Sequence, residues 1–311
     1  MAIAASPGFP QQSGILIPEV WSGKLLAKFY AATVLAAISN TDYEGEIKSQ
    51  GDKVWIRTTP DIQIKKYQKG MTLDIQRPEP NKLELTIDQA NYWNFTVDNI
   101  DKFQSDLNYF EDWTRDASEQ MKIAIDTEVL GQIYVDADAA NQGATAGKIS
   151  QSINLGAPGS ALAVGNGSGN VNPVDFILRV SQTLDEQNVP ETDRWIVIPS
   201  WLSAKLKLSD LKNAYLTGDA KSPIRNGRIG DVDRNTLYTS NLLAQVTDGG
   251  DRCTHVIGGQ KSALTFASQL TENEMIKAES TFGWLGRGLQ VFGKKVVKPE
   301  ALVHAYVKPG A

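Results

Sequence analysis

The chain has one cysteine and two histidines in 311 residues, and each shortage closes off a class of function. A lone Cys253 leaves no internal disulfide framework and no cysteine-rich zinc site, and its ordinary fate is that of a small buried apolar residue. Two histidines are few for chemistry that moves protons at neutral pH. Neither His255 nor His304 stands at metal-ligand spacing, and His304, between Val303 and Ala305, reads as a hydrogen-bonded structural residue, as does His255. No Gly-x-Ser-x-Gly elbow, His-Glu-x-x-His helix or Cys-x-x-Cys pair occurs. Carboxylate pairs such as Asp136 with Asp138 and Glu272 with Glu274 are what 36 acidic residues produce by chance. No catalytic residue, metal or cofactor is expected. No apolar run approaches the roughly twenty residues that span a bilayer. Met1–Gln12 lacks the basic start and apolar core of a signal peptide, so folding in a cytosol is expected.

With 41% hydrophobic and 22% charged residues, the chain can bury one large core or two modest ones. Its net charge of -5 supplies no general attraction to phosphate or anionic lipid. Lys65-Lys66, Lys294-Lys295 and Lys298 are short clusters without interleaved stacking aromatics, as on solvated faces. The run Gly165-Asn166-Gly167-Ser168-Gly169-Asn170 lies in a stretch, 141–172, whose small residues predict a linker or loop. No apolar strand is expected to feed it and no Gly-Lys-Ser or Gly-Lys-Thr follows, which argues against a phosphate loop.

The most informative segment is 51–97. In Gly51–Pro60, Val54, Ile56 and Thr58 share one face opposite Lys53, Trp55 and Arg57; further on, Leu83, Leu85 and Ile87 oppose Lys82, Glu84 and Thr86. Trp93, Phe95 and Val97 resume the alternation after a break at Gln89-Ala90-Asn91. Between Pro60 and Pro80 the chain reads as a polar connection of roughly twenty residues, far beyond the two to five of a hairpin turn. A two-stranded ribbon is marginal alone in water, so this arm is expected to project from its subunit and pack on another. Trp21 and Trp55 lie where such packing would use large amphipathic rings.

Around the ribbon the reading is coarser. Residues 1–16 suit a mobile arm. Pro18-Glu19 opens a helix whose face is Val20, Leu25, Leu26, Phe29, Val34 and Ile38, ending by Asn40. From Ser105 or Asp106 to Tyr134, Leu107, Phe110, Ala117, Met121, Ala124 and Ile125 continue through Val129, Leu130 and Ile133 at helical steps. Between Asp98 and Asp138 stand eleven acidic residues against Lys102, Arg115 and Lys122. Such a face is either solvated or repels a polyanion. A helix from Pro173 (Phe176, Ile177, Val180, Leu184), a buried strand Arg194–Ile198, and a helix capped by Ser200 (Trp201, Leu202, Leu206, Leu208) form an α/β unit. Strands and loops follow, ending in Gly288–Val297 and Ala301–Val307.

This order resembles the major capsid (coat) proteins of tailed bacteriophages, the HK97-like fold, over nearly the whole chain. Local patterns are similar to the podophage branch: Ile17-Pro18-Glu19-Val20-Trp21-Ser22, Tyr43-Glu44-Gly45-Glu46-Ile47 before Gly51-Asp52-Lys53-Val54, and Phe95-Thr96-Val97-Asp98 before Gln104-Ser105. Gly227-Arg228-Ile229-Gly230, Tyr238-Thr239-Ser240-Asn241, Ala263-Leu264-Thr265-Phe266-Ala267 and Arg287–Lys295 continue the series.

The resemblance implies an α+β fold with an N-terminal arm and short helix (1–45), an extended β-ribbon loop (46–97) and a peripheral domain with a long spine helix (98–171). An axial α/β domain (172–262) and a return to the peripheral domain (263–311) complete it. It implies pentamers and hexamers closing an icosahedral head around double-stranded DNA, a separate scaffolding protein, a portal at one vertex and room for a decoration protein. It also implies a place in the virion after assembly in the host bacterial cytoplasm, with no membrane partner. Contacts between subunits are expected at Trp21, Trp55, Arg57, Lys65, Lys66, Tyr67, Arg225 and Arg228. The sequence marks no lysine–asparagine pair for cross-linking. An encapsulin-like shell storing cargo is the nearest alternative, and a soluble α/β enzyme with a disordered insertion is a more distant one.

Overall fold

The computed structural model describes residues 33–42, 53–57, 60, 62–79, 82–98, 109–209, 230–277 and 283–310. The expected N-terminal arm, the first helix before residue 33 and the start of the long helix lie outside the described residues, as do Trp21, Arg225 and Arg228. The described elements are α1 (Leu35–Ile38), β1 (Lys53–Arg57), β2 (Lys82–Thr86), β3 (Gln89–Asp98), α2 (Tyr109–Leu130), β4 (Leu162–Val164), α3 (Pro173–Glu186), β5 (Arg194–Ile198) and α4 (Ser200–Leu208). Then come β6 (Asp231–Val232), β7 (Asn235–Thr239), β8 (Gln245–Asp248), β9 (Asp251–Gln260), β10 (Leu264–Lys277), β11 (Gly283–Val296) and β12 (Leu302–Pro309). The expected α+β class holds.

Among the described residues, three sheets organise the chain. β1 and β2 form an antiparallel ribbon; β10, β11 and β3 form a second sheet; and β4, β12, β9, β5, β7 and β6 line up in a third, with β8 added to β9. β5 is buried along its whole length, as expected of a run flanked on both faces. β12 returns from the chain end into this third sheet, pairing antiparallel with β9 and parallel with β4. One contiguous core extends from Leu35 and Ile38 through Val129 and Leu130 to Phe176, Ile196, Val303 and Phe292.

Four local expectations are corrected. The long helix ends at Leu130, not Tyr134, and Ile133–Asp136 is a separate 3-10 turn. The apolar stripe continues across this break because Ile133 packs into the same core, so periodicity alone carried the helix too far. The 141–172 stretch is packed, not a linker: Ala146, Ile153, Leu155, Leu162 and Val164 are buried between its glycines. A strand, β4, does feed the glycine run, but the N-terminus of α3 beyond it is capped internally, Val174 N–H donating to the Asn172 side chain at 2.9 Å. Finally, Ser200 is already helical; Pro199 stands at the cap and makes no side-chain bond.

Candidate assembly surface

The ribbon is built on a register that explains both its root and its tip. β1 pairs with β2 so that Lys53 meets Thr86, Trp55 meets Glu84 and Arg57 meets Lys82. Further out, Lys65 Nζ reaches Asp74 Oδ2 at 2.8 Å, and the Gln76 side chain accepts from Gln63 N–H at 3.0 Å and donates to Gln63 O at 2.7 Å. Those are the partners the β1–β2 register dictates if it runs on unbroken. It closes at Gln68–Met71, where Met71 N–H donates to Gln68 O at 3.1 Å and Gly70 takes φ +86°. A positive φ at the third turn position suits glycine, as in a type II turn. The connection expected to be too long for a turn is therefore a hairpin with a two-residue tip, Lys69-Gly70.

The root of this arm is fixed to its own subunit. Ile56, Leu85 and Ile87 are buried with Ala267 of β10, and Val54, Leu83, Val291 and Val297 pack around them. This cluster is separate from the main core. The chain leaves the ribbon at Ile87-Asp88, two residues earlier than the expected break, because β3 joins β11 from Gln89 onward. Lys53 Nζ also approaches Glu84 Oε1 across the strands.

Alternation then dictates what the tip presents. Gln63, Lys65, Asp74 and Gln76 meet on one side, so Ile62, Ile64, Leu73 and Ile75 point to the other, the side that Val54, Ile56, Leu83 and Leu85 occupy at the root. At the root that face is buried; at the tip Ile64 is 93% exposed and its cross-strand partner Ile75 is 90% exposed. Ile62, Leu73 and Tyr67 are exposed as well. An apolar strip of this kind, closed at its two ends by Lys66 opposite Leu73 and Arg77 opposite Ile62, is what a protein-binding surface looks like before it is covered.

The sequence-derived contact residues are distributed unevenly over this surface. Trp55 is 57% exposed on the ribbon's polar side, and Tyr67 stands near the tip. Lys65 is engaged by Asp74; Lys66 is exposed beside it. The backbone of Arg57 lies in β1, but its side chain is outside the described residues, as are Trp21, Arg225 and Arg228. Sequence reasoning missed Ile62, Ile64, Leu73 and Ile75, although Ile-x-Ile and Leu-x-Ile at mirrored positions were the available signal.

A second surface lies between α2 and the β10–β11–β3 sheet. Trp93 stacks on Phe95 with centroids 5.3 Å apart, and Phe95 meets Trp113 of α2 edge-on at 5.6 Å. Beside Trp93 a groove of about 530 Å3 opens between β3 and the Ala117, Met121 and Ala124 face of the helix. Acidic character on α2 is partly offset in place, Asp112 pairing with Arg115 and Glu119 with Lys122, each at 2.8 Å.

Asp126 belongs to no solvated acidic face. It is 4% exposed and accepts from Val34 N–H at 2.6 Å and Leu35 N–H at 3.2 Å, tying α1 to the long helix. Burial raises its pKa, and the two N–H donors work against that rise. Replacing Asp126 by alanine strands two buried donors, a loss of about 1–3 kcal/mol that a chemical denaturation midpoint should register. Unchanged stability would remove the carboxylate from this role.

Among the described residues, no cluster of three or more His, Cys, Asp or Glu is arranged to hold a metal, and no helix is long and apolar enough to cross a membrane. No family model matches the sequence, and no curated protein does. Solved structures do match. A chain from Mycobacterium phage Che8 is 27% identical, with 93% of this chain and 96% of that one covered and a TM-score of 0.72. The capsid structure of cyanophage P-SCSP1u matches at 15% identity, covering 95% and 94%, with a TM-score of 0.73. The chain has the HK97-like fold of tailed-phage capsid proteins. The capsid asymmetric unit of cyanophage Pam1 extends the likeness to 98% of this chain and 100% of that one, at 11% identity and a TM-score of 0.69.

Proposed function

We propose that this chain is a major capsid protein whose copies assemble as pentamers and hexamers into an icosahedral phage head around double-stranded DNA. The observation that carries the reading is the ribbon: a root packed on its own subunit and a tip whose Ile64 and Ile75 are bare, within a chain that has the capsid fold along almost its full length. A monomer gains nothing from exposing such a strip, whereas a neighbouring copy would bury it at every contact of the shell.

In this reading the ribbon, α2 and the β10–β11–β3 sheet form the peripheral part of the subunit, with α2 as its spine, and the larger sheet with α3 and α4 forms the axial part. Trp55, Arg57, Lys65, Lys66 and Tyr67 border the contact made by the tip, and Trp21, Arg225 and Arg228 serve contacts elsewhere. A separate scaffolding protein guides closure, a portal occupies one vertex, and a decoration protein has the outer surface available. The work is structural and needs no catalysis or cofactor. Assembly takes place in the host cytoplasm and the product resides in the virion. The acidity of α2 favours DNA sliding past an interior wall over sticking to it.

The test is electron microscopy of the expressed chain, with its scaffolding protein, and of native particles treated with nuclease. Closed shells with protected DNA are expected. Shells filled with protein cargo and no DNA would support a cargo-storing compartment, and a persistent monomer with turnover would overturn both. Reversing Asp112, Asp116 and Glu119 to lysine should lower the yield of full particles, while an unchanged yield would refute the repelling wall.

A further inference from the structure

The chain's two histidines, 49 residues apart in sequence, meet inside the molecule. His255 on β9 and His304 on β12 lie on neighbouring strands, both about 5% exposed, with rings stacked at 5.0 Å and His255 Nδ1 2.8 Å from His304 Nε2. Tyr134, in the 3-10 turn that follows α2, stacks on His255 at 4.1 Å. Gln142, just beyond the next turn, faces His304 Nδ1 with its Oε1 at 3.4 Å. The pair thus joins the third sheet to the segment that continues the long helix.

The hydrogen-bond network fixes the proton positions. Gln142 Nε2 donates to Ala137 O at 3.2 Å, so its oxygen is the atom turned to the imidazole. His304 Nδ1–H therefore donates to Gln142, His304 Nε2 accepts, and His255 Nδ1–H is the donor between the rings. A proton added to His304 Nε2 would set two N–H groups head to head at 2.8 Å. No carboxylate among the described residues bonds to either ring to stabilise a cation. The titratable neighbours are Tyr134, Cys253 on the same face of β9, and Tyr306 on β12. Asp248, at the end of β8, accepts from the Tyr306 hydroxyl at 3.3 Å and from Gly159 N–H at 2.6 Å. Asp138, in the following turn, accepts from Ala140 N–H. Asp251 holds Lys308 at 2.7 Å.

We propose that the His255–His304 pair is an acid-sensitive clasp holding the turn after the long helix against the central sheet. The clasp is closed while His304 Nε2 is free to accept from His255 and opens when His304 is protonated there. Burial lowers both histidines, His304 to about 4 with His255 adding repulsion. Unfolded histidine titrates near 6.5, so the stability from the neutral pair is complete above that pH and is lost as pH falls toward about 4. The effect is local, since Tyr134 and Gln142 are what the rings hold, and it does not depend on the shell.

The experiment is histidine-selective isotope labelling of the full chain, which gives signals from two residues only, combined with amide hydrogen exchange from pH 7 to 4. Expected are both rings titrating below the ordinary 6.5, His304 near 4, and exchange in 131–142 and 302–307 accelerating more than tenfold as His304 titrates while α3 and β5 stay protected. Rings that titrate near 6.5, or exchange that stays flat while they titrate, would overturn the clasp. So would simultaneous loss of protection throughout the chain. The double variant His255→Phe with His304→Met keeps apolar contacts with Tyr134 but cannot be protonated, and its exchange in 131–142 should lose the pH dependence. The same dependence as in the parent chain would refute the proposal.

Discussion

Replacing Ile64 and Ile75 together by aspartate should abolish closed shells while leaving the subunit folded. Both side chains are nine-tenths exposed in the isolated chain, so their loss removes no internal packing. In an assembly each buried isoleucine contributes about 1.5–3 kcal/mol, and the pair about 3–6 kcal/mol for every contact the tip makes. Aspartate adds the cost of burying charge without a partner. Repetition around the shell multiplies the penalty. Sedimentation and electron microscopy should show free subunits or open fragments with an unaltered circular dichroism spectrum. Shells of normal yield from the double aspartate variant would mean that the tip is not covered by another copy.

Gly293→Val should detach the ribbon from its subunit. A Cβ at Gly293 would lie 2.3 Å from Thr86 O and 3.0 Å from Ile87 Cα, both backbone atoms, so the end of β2 must lift. That lift opens the small cluster of Ile56, Leu85, Ile87 and Ala267, which is independent of the main core. Overpacking of this kind costs about 1–3 kcal/mol, and here it is concentrated at the joint. Limited proteolysis should cut between Lys53 and Asp88 at least about tenfold faster, while the main thermal transition moves little and shells fail to close. Unchanged proteolysis would show that the ribbon is held elsewhere.

These two predictions also mark where the sequence was readable. The root of the ribbon was legible because Val54-x-Ile56 and Leu83-x-Leu85-x-Ile87 repeat with the period of a strand, and the structure buries those residues together. The tip was not, because Lys65, Lys66, Lys69 and Arg77 gave the segment a polar average that hid four alternating apolar residues. The turn at Lys69-Gly70 became visible only once the β1–β2 register supplied the pairing. Long-range partners were the least accessible. Asp126 looks like any acid on a helix until Val34 and Leu35, more than ninety residues away, place two N–H donors on it. Likewise β3 reads as a continuation of the ribbon, although its partner β11 lies far along the chain. Each histidine was read as a hydrogen-bonded structural residue; that they bond to each other followed from strand pairing that local sequence does not encode.

The central claim is that copies of this chain close into a shell through the apolar tip of the ribbon. Its most direct test is an electron cryomicroscopy reconstruction of assembled particles at side-chain resolution. The account predicts a closed icosahedral shell in which Ile62, Ile64, Leu73 and Ile75 of one copy are buried against a neighbouring copy. A closed shell with those four side chains facing solvent would contradict it.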